Sequence, residues 1–247
     1  MTTSTDVESR QPDPGRSPSV VRRRRGRSDQ KRRRVMLVGG IALITVGAIL
    51  LGWLAWQFWG TNWLSKGRQA EVVSELHETW DDGQGTVETD WGKATALIRI
   101  PRFGADYEMP VLEGTSDEAL AAGVGHMENT AGVGEPGNFA LAAHRVTHGQ
   151  PFADFPELRP GDVVYVETVN ATYTYELDSG GEDLIVPFTT EWVVDPVFPV
   201  NPDPNGVTAP GQAGDPIITL LTCSEIFHTD DRSVVFGHLV DSEPKLP

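Results

Sequence analysis

The chain contains a single cysteine, Cys223, within "IITLLTCSEIFHTDDRSVVFG". It closes an apolar, β-branched run, and Arg232 follows nine residues later. A lone thiol is either an inert buried side chain or a nucleophile. A nucleophilic role needs help from a cation or a base, because a thiol near its free pKa of about 8.5 is only a few per cent thiolate at neutral pH. Arg232 is the nearest cation downstream. Of the six histidines, His144 is the best-placed base, since "GNFALAAHRVTHG" carries a second apolar strand to a polar rim. For any one histidine the ordinary role is a surface or hydrogen-bonded core position.

The elements that must hold these residues read as β. From Lys93 onward, short runs rich in β-branched and aromatic residues are separated by Gly, Pro, Asn and Asp. The expected strands are "TALIRIPRF", "YEMPVLEG", "GNFALAAHR", "DVVYVET", "ATYTYELD", "EDLIVPF", "TEWVVDP", "PIITLLTC" and "RSVVFGHLV". Helical pieces are expected at "SDEALAAGV" and "PFADFPELRPGD". So many short strands favour a closed barrel or a sandwich. "PIITLLTC" lacks strict alternation, which predicts burial on both faces. The short connection "SEIFHTDD" makes the two strands around it near neighbours, so that Arg232 can lie close to Cys223.

Charge divides the chain. Residues 1–34 hold 11 Lys/Arg against 4 Asp/Glu, residues 61–247 hold 9 against 31, and the whole carries −15. Between them, residues 35–59 are uncharged and would form a helix of roughly 38 Å, more than the hydrocarbon core of about 30 Å. Trp53, Trp56, Trp59 and Trp63 gather at its C-terminal end, where indole rings suit the membrane interface. With "RRRRGRSDQKRRR" directly before it, the span reads as a retained signal anchor with a cytoplasmic N-terminus and the rest outside. Topology accounts for the basic run better than nucleic-acid binding does. The expected organisation is a disordered basic tail (1–34), a transmembrane anchor (35–59), a stalk and linker (60–92) and a catalytic β-domain (93–247). Val72, Val73, Leu76 and Trp80 lie at helical spacing within the stalk. An outside location sharpens the question of Cys223, because extracytoplasmic domains that use cysteine for stability use it in pairs.

"GEPGNFALAAHRVTHGQPFADFPELRPGDVVYVET", followed by "TLLTC" and then Arg232, closely resembles the sortases, the cysteine transpeptidases of Gram-positive cell surfaces. The similarity runs from about Ala96 to Val240 and includes "EGTSDEALAAGVGHMENT". The resemblance implies a mostly β fold, a closed eight-stranded barrel with short helices behind one transmembrane helix. It places the family's catalytic cysteine on Cys223, its histidine on His144 and its arginine on Arg232, with Leu221 and Thr222 of the TLxTC motif as substrate-binding candidates. Ala143 stands where the family often has glycine. Among subfamilies the chain looks most like the class E sortases of high-GC actinobacteria, which favour Leu-Ala-x-Thr-Gly over Leu-Pro-x-Thr-Gly signals.

The resemblance implies cleavage of such a signal between Thr and Gly and transfer to an amine of a peptidoglycan precursor. The implied partners are surface proteins with C-terminal sorting signals, the wall amine and membrane lipid, without nucleic acid. A pilin-polymerising role, a cell-wall cysteine hydrolase, an L,D-transpeptidase and a tethered binding domain with a buried thiol are the rivals. An L,D-transpeptidase uses a Ser-His-Gly-Cys context that "TLLTCSE" lacks. Papain-like peptidases place the cysteine ahead of the histidine. No cofactor or metal site is expected, and Glu225, Asp230 and Asp231 read as solvated surface carboxylates.

Overall fold

The computed structural model describes residues 26–56, 60–223 and 230–245. Two compact units divide at Leu51 and Gly52. Helix α1 (Gly26–Ala55) begins in the first unit. Its stretch Gln30–Ala55 has a mean hydropathy of 2.5 and is long and apolar enough to cross a membrane. Leu43 and Ile44 are 76% and 73% exposed, so this helix has no buried apolar face of the kind that a soluble helix packs into a core. Of the tail expected to be disordered (1–34), residues 1–25 lie outside the described residues, as does Trp59, whereas residues 26–34 are helical, the first part of α1.

The second unit is a barrel. Its strands are β1 (Val87–Thr89), β2 (Gly92–Arg99), β3 (Met109–Glu113), β4 (Val124–His126), β5 (Gly137–Ala142), β6 (Val163–Glu167), β7 (Ala171–Leu177), β8 (Ile185–Pro187), β9 (Pro216–Cys223) and β10 (Asp231–Pro244). The order β2-β3-β4-β5-β9-β10-β7-β6 returns to β2 through the pairs Leu97↔Glu167, Ile98↔Val166 and Arg99↔Tyr165. This is the closed eight-stranded barrel that the resemblance implies, and closure removes the exposed edges. β1 and β8 are appended to β2 and β10. The Arg99 guanidinium pairs with Glu167 across the closing seam, and Lys245 reaches the same carboxylate at 2.7 Å.

Side chains at alternating strand positions fill the barrel, including Ile98, Leu141, Tyr175, Leu220 and Val235, and Phe152 joins them from the loop after β5. Outside the wall of β5, β9 and β10 lies a second apolar layer, built from Ala140, Ile217, Leu221, Val234 and Phe236 with Val186 and Val193. Strand β9 is therefore buried on both faces, as its unbroken apolar run requires. Ile217, Ile218 and Leu220 are each fully buried, and burial of such a side chain contributes about 1.5–3 kcal/mol.

Helix α2 (Thr61–Asp81) packs on the barrel through a stripe of Ser65, Gln69, Val72 and Leu76. Its apolar part meets Leu97, Leu112, Ala119 and Ala122. Helix α3 (Asp117–Ala122) starts where the Ser116 hydroxyl accepts from the Ala119 N–H, with Asp117 and Glu118 in its first turn. The stretch 82–92, expected to be a linker, contains β1. "TEWVVDP" is a correction of another kind: Trp192–Val194 form a short 3₁₀ turn, not a strand. Trp192 lies against Phe236 with ring centroids 6.0 Å apart, and Val193 is buried, so the three apolar residues cover β10 without joining its ladder.

Candidate active site

Parallel pairing of β5 with β9 runs from Gly137↔Pro216 to Ala142↔Leu221, so both strands end on the same rim. His144 lies two residues past the end of β5, and Cys223 lies two residues past Leu221. The two chains are laced together just below: the Ala143 N–H donates to the Leu221 carbonyl at 3.2 Å, and the buried Thr222 hydroxyl donates to the Ala143 carbonyl at 2.9 Å. Antiparallel β10 completes the arrangement, since Arg232 is the direct Cα partner of Cys223. On its other side Arg232 pairs with Val186 of β8. The three residues singled out by type thus stand at the ends of three adjacent strands.

Half-buried Arg232 has one guanidinium N–H, on Nη1, donating to the Asp231 carbonyl at 3.0 Å. Leu221 is 8% exposed within the outer apolar layer and Thr222 is 3% exposed with its hydroxyl already used. Both brace the strand end from within. Ala143 is likewise buried in the barrel core. Glu225 lies outside the described residues, and Asp230 and Asp231 are exposed.

His144 differs from the other described histidines by its partners. His77, His126 and His238 each face a carboxylate, that of Glu108, Glu113 and Asp178, at 3.2, 2.9 and 2.7 Å. His126 is also bonded to the Ala131 carbonyl and the Thr130 hydroxyl, a fully satisfied structural histidine. His144 instead stacks on His148, with centroids 4.6 Å apart and planes 29° apart. Burial, helped by the neighbouring His148, pushes its imidazole down to about 4, against a smaller upward pull from Asp117. His144 is therefore neutral at pH 7 and able to accept a proton.

The turn that carries His148 is unusual. His148, Gly149 and Gln150 all have positive φ, at 56°, 81° and 58°. For a residue with a side chain this conformation costs about 1–2 kcal/mol, so surrounding contacts must hold it. The Gln150 amide donates to the Val146 carbonyl at 2.6 Å, and the Phe152 N–H closes the loop on the His144 carbonyl at 3.0 Å. From α2, the Asn62 Oδ1 accepts from the Gly149 N–H at 3.0 Å and the Gln69 Nε2 donates to the His148 carbonyl at 3.0 Å. Sequence reasoning missed His148, Asn62 and Gln69. The signal for His148 was its fourth position after His144, next to a glycine that the left-handed turn favours.

Buried Asn138 also escaped notice. Its Oδ1 accepts from the Thr219 hydroxyl at 2.7 Å, while its Nδ2 donates to the carbonyls of Val193 and Asp195 at 3.3 and 3.1 Å. One side chain thus joins β5, β9 and the Trp192–Val194 turn beneath the rim. Asn138→Ala strands these buried groups and should destabilise the fold by about 2–3 kcal/mol, read as a lower midpoint in urea denaturation.

No group of three or more His, Cys, Asp or Glu residues that could hold a metal occurs among the described residues. The chemistry that this rim supports is that of a thiol, a neutral imidazole and a guanidinium on a rigid wall.

Comparison with known proteins agrees with that reading. The Sortase domain family model matches residues 98–240, and the chain belongs to the sortase family. It is 33% identical to Sortase SrtE1 of Streptomyces coelicolor over 216 residues, which make up 83% of this chain and 57% of that protein. Sortase E from Streptomyces avermitilis has a structure that is similar at 39% identity and a TM-score of 0.53, covering 63% of this chain and 93% of that one. Sortase E1 from Streptomyces coelicolor, solved with a tripeptide in its active site, gives 34% identity and a TM-score of 0.50, covering 64% and 94%. Within the family these relatives support class E.

Proposed function

We propose that the chain is a membrane-anchored cysteine transpeptidase that cuts a Leu-Pro/Ala-x-Thr-Gly sorting signal between Thr and Gly and joins the threonine to a cell-wall amine. The observation that carries this reading is the convergence of Cys223, His144 and Arg232 on one barrel rim, with Arg232 in direct register with Cys223. A class E relative that holds a tripeptide in its active site supports a peptide substrate.

In this mechanism the Cys223 sulfur attacks the threonine carbonyl while neutral His144 takes the thiol proton. Arg232 donates hydrogen bonds to the oxygen that gains charge. The C–N bond then breaks, and the imidazolium of His144 gives its proton to the leaving glycine amine. The thioester remains on Cys223. An incoming amine attacks it, loses a proton to His144, and the thiol is restored as that proton returns. Leu221 and Thr222 hold the sulfur-bearing strand end in place.

Helix α1 anchors the enzyme, with residues 22–34 on the cytoplasmic side and the barrel outside. The clients are surface proteins with C-terminal sorting signals, and the acceptor is a peptidoglycan precursor amine. The test is incubation of the full-length protein in detergent with Leu-Pro-x-Thr-Gly and Leu-Ala-x-Thr-Gly peptides and an amine, followed by mass spectrometry. The expected product carries a new Thr–amine bond. Free threonine carboxylate as the main product with amine present would overturn transfer in favour of hydrolysis.

A further inference from the structure

Helix α2 reaches the active-site rim as well as the barrel wall. Along one stripe it carries Asn62, Ser65, Gln69, Val72 and Leu76, of which the last four are buried. The lower residues pack against apolar side chains, but the upper ones grip the turn after His144 by two hydrogen bonds to its backbone. The fit is close. A Cβ built at Gly149 would lie 2.4 Å from the Gln69 Nε2 and 2.5 Å from its Oε1.

Gln69 is a poor choice for stability alone. It is 3% exposed, and among the described residues its Oε1 has no hydrogen-bond partner. A half-satisfied buried amide costs stability that the apolar Val72 and Leu76 on the same stripe avoid. Its remaining bond goes to the carbonyl of His148, the residue stacked on His144.

We infer that Gln69 and Asn62 are positioning residues for the reaction: from α2 they hold the 147–150 turn so that His148 stays stacked on His144 and fixes that ring at the barrel rim. The inference rests on the proposed role of His144 as the proton carrier. It makes α2, which starts a few residues beyond the apolar helix, part of the active-site architecture. The charged and titratable groups around the stacked pair are Asp117 of α3 and Arg68 of α2, with Cys223 and Arg232 at the neighbouring strand ends.

The experiment uses full-length protein in detergent and three variants: Gln69→Leu, which keeps bulk but removes the donor, Asn62→Ala, and Asn62→Asp, which keeps the acceptor for the Gly149 N–H. Three readouts are compared: thermal melting, kcat and KM for peptide transfer, and the pH profile of Cys223 alkylation by iodoacetamide, which needs no peptide. Gln69→Leu and Asn62→Ala should lower kcat about tenfold, the scale of a slightly misplaced catalytic group, with KM within about twofold. The imidazole inflection near pH 4 should move toward the ordinary histidine value of about 6.5 as His144 is released. Asn62→Asp should stay within about twofold of the parent in kcat. If Gln69→Leu does not fold, the Asn62 pair decides. Folded Gln69→Leu and Asn62→Ala proteins that keep the parent kcat and alkylation profile overturn the inference, as does a lower melting temperature with both kinetic readouts unmoved. Failure of the parent to transfer any peptide would count against the proposed reaction, while the alkylation profile would still read the turn.

Discussion

Replacing His144 by alanine should lower kcat/KM for peptide transfer by about 10²–10⁴-fold, the usual worth of a positioned acid–base group, and leave the barrel folded. Its ring packs by stacking on His148, and its backbone carbonyl, which closes the loop with Phe152, survives the substitution. His77→Ala is the matched control. That ring lies on α2 and pairs with Glu108 on an exposed face, so turnover of a soluble peptide should change by less than about twofold. The sign of the pH dependence follows from the burial of His144. The neutral ring is the active form at the start of the reaction, and it persists down to about pH 4. Activity should therefore survive acidification through pH 6.5 and fail only as the pH approaches 4. Steady-state rates across that range, with circular dichroism at each pH, check both claims. Equal losses from His144→Ala and His77→Ala would mean that the proton carrier lies elsewhere.

What could be read from sequence is what local pattern determines. The unbroken apolar run of β9 predicted burial on both faces, and the structure supplies a barrel core on one side and the Val186–Val193 layer on the other. The short connection after Cys223 made a hairpin partner of the segment that begins with Arg232, and the two residues are direct partners. Distant polar contacts were not legible. Trp192, Val193 and Val194 have the composition of a strand, but the carbonyls of Val193 and the following Asp195 accept from Asn138, more than fifty residues earlier in the chain. Strand β4 has only three residues, and its parallel pairing with β3 depends on α3 turning the chain back. In α2 the periodic apolar residues identify a helix, whereas Asn62 and Gln69 acquire meaning only when the turn after His144 lies against them. Residue types thus pointed to a candidate site, but not to the contacts that support it.

Arg232→Ala should reduce kcat by at least about a hundredfold, the scale for loss of one donor to a developing oxyanion, with a much smaller effect on KM. The register makes Arg232 the direct partner of Cys223 on the neighbouring strand, and in the proposed mechanism its donors serve the carbonyl under attack. The bond from its Nη1 to the Asp231 carbonyl holds one end of the guanidinium, a planar fork of N–H donors. Arg232→Lys keeps the charge but presents a compact ammonium on a different stem, so it should recover only a small part of the lost rate. The distinction between transition-state and ground-state work lies in which constant moves. An arginine that only held the peptide backbone would raise KM and leave kcat nearly intact. Peptide transfer by the full-length protein, measured for the parent and both variants with circular dichroism confirming the fold, separates the two. A folded Arg232→Ala enzyme with unchanged kcat would remove Arg232 from the oxyanion role and leave the carbonyl oxygen to be stabilised by backbone N–H groups alone.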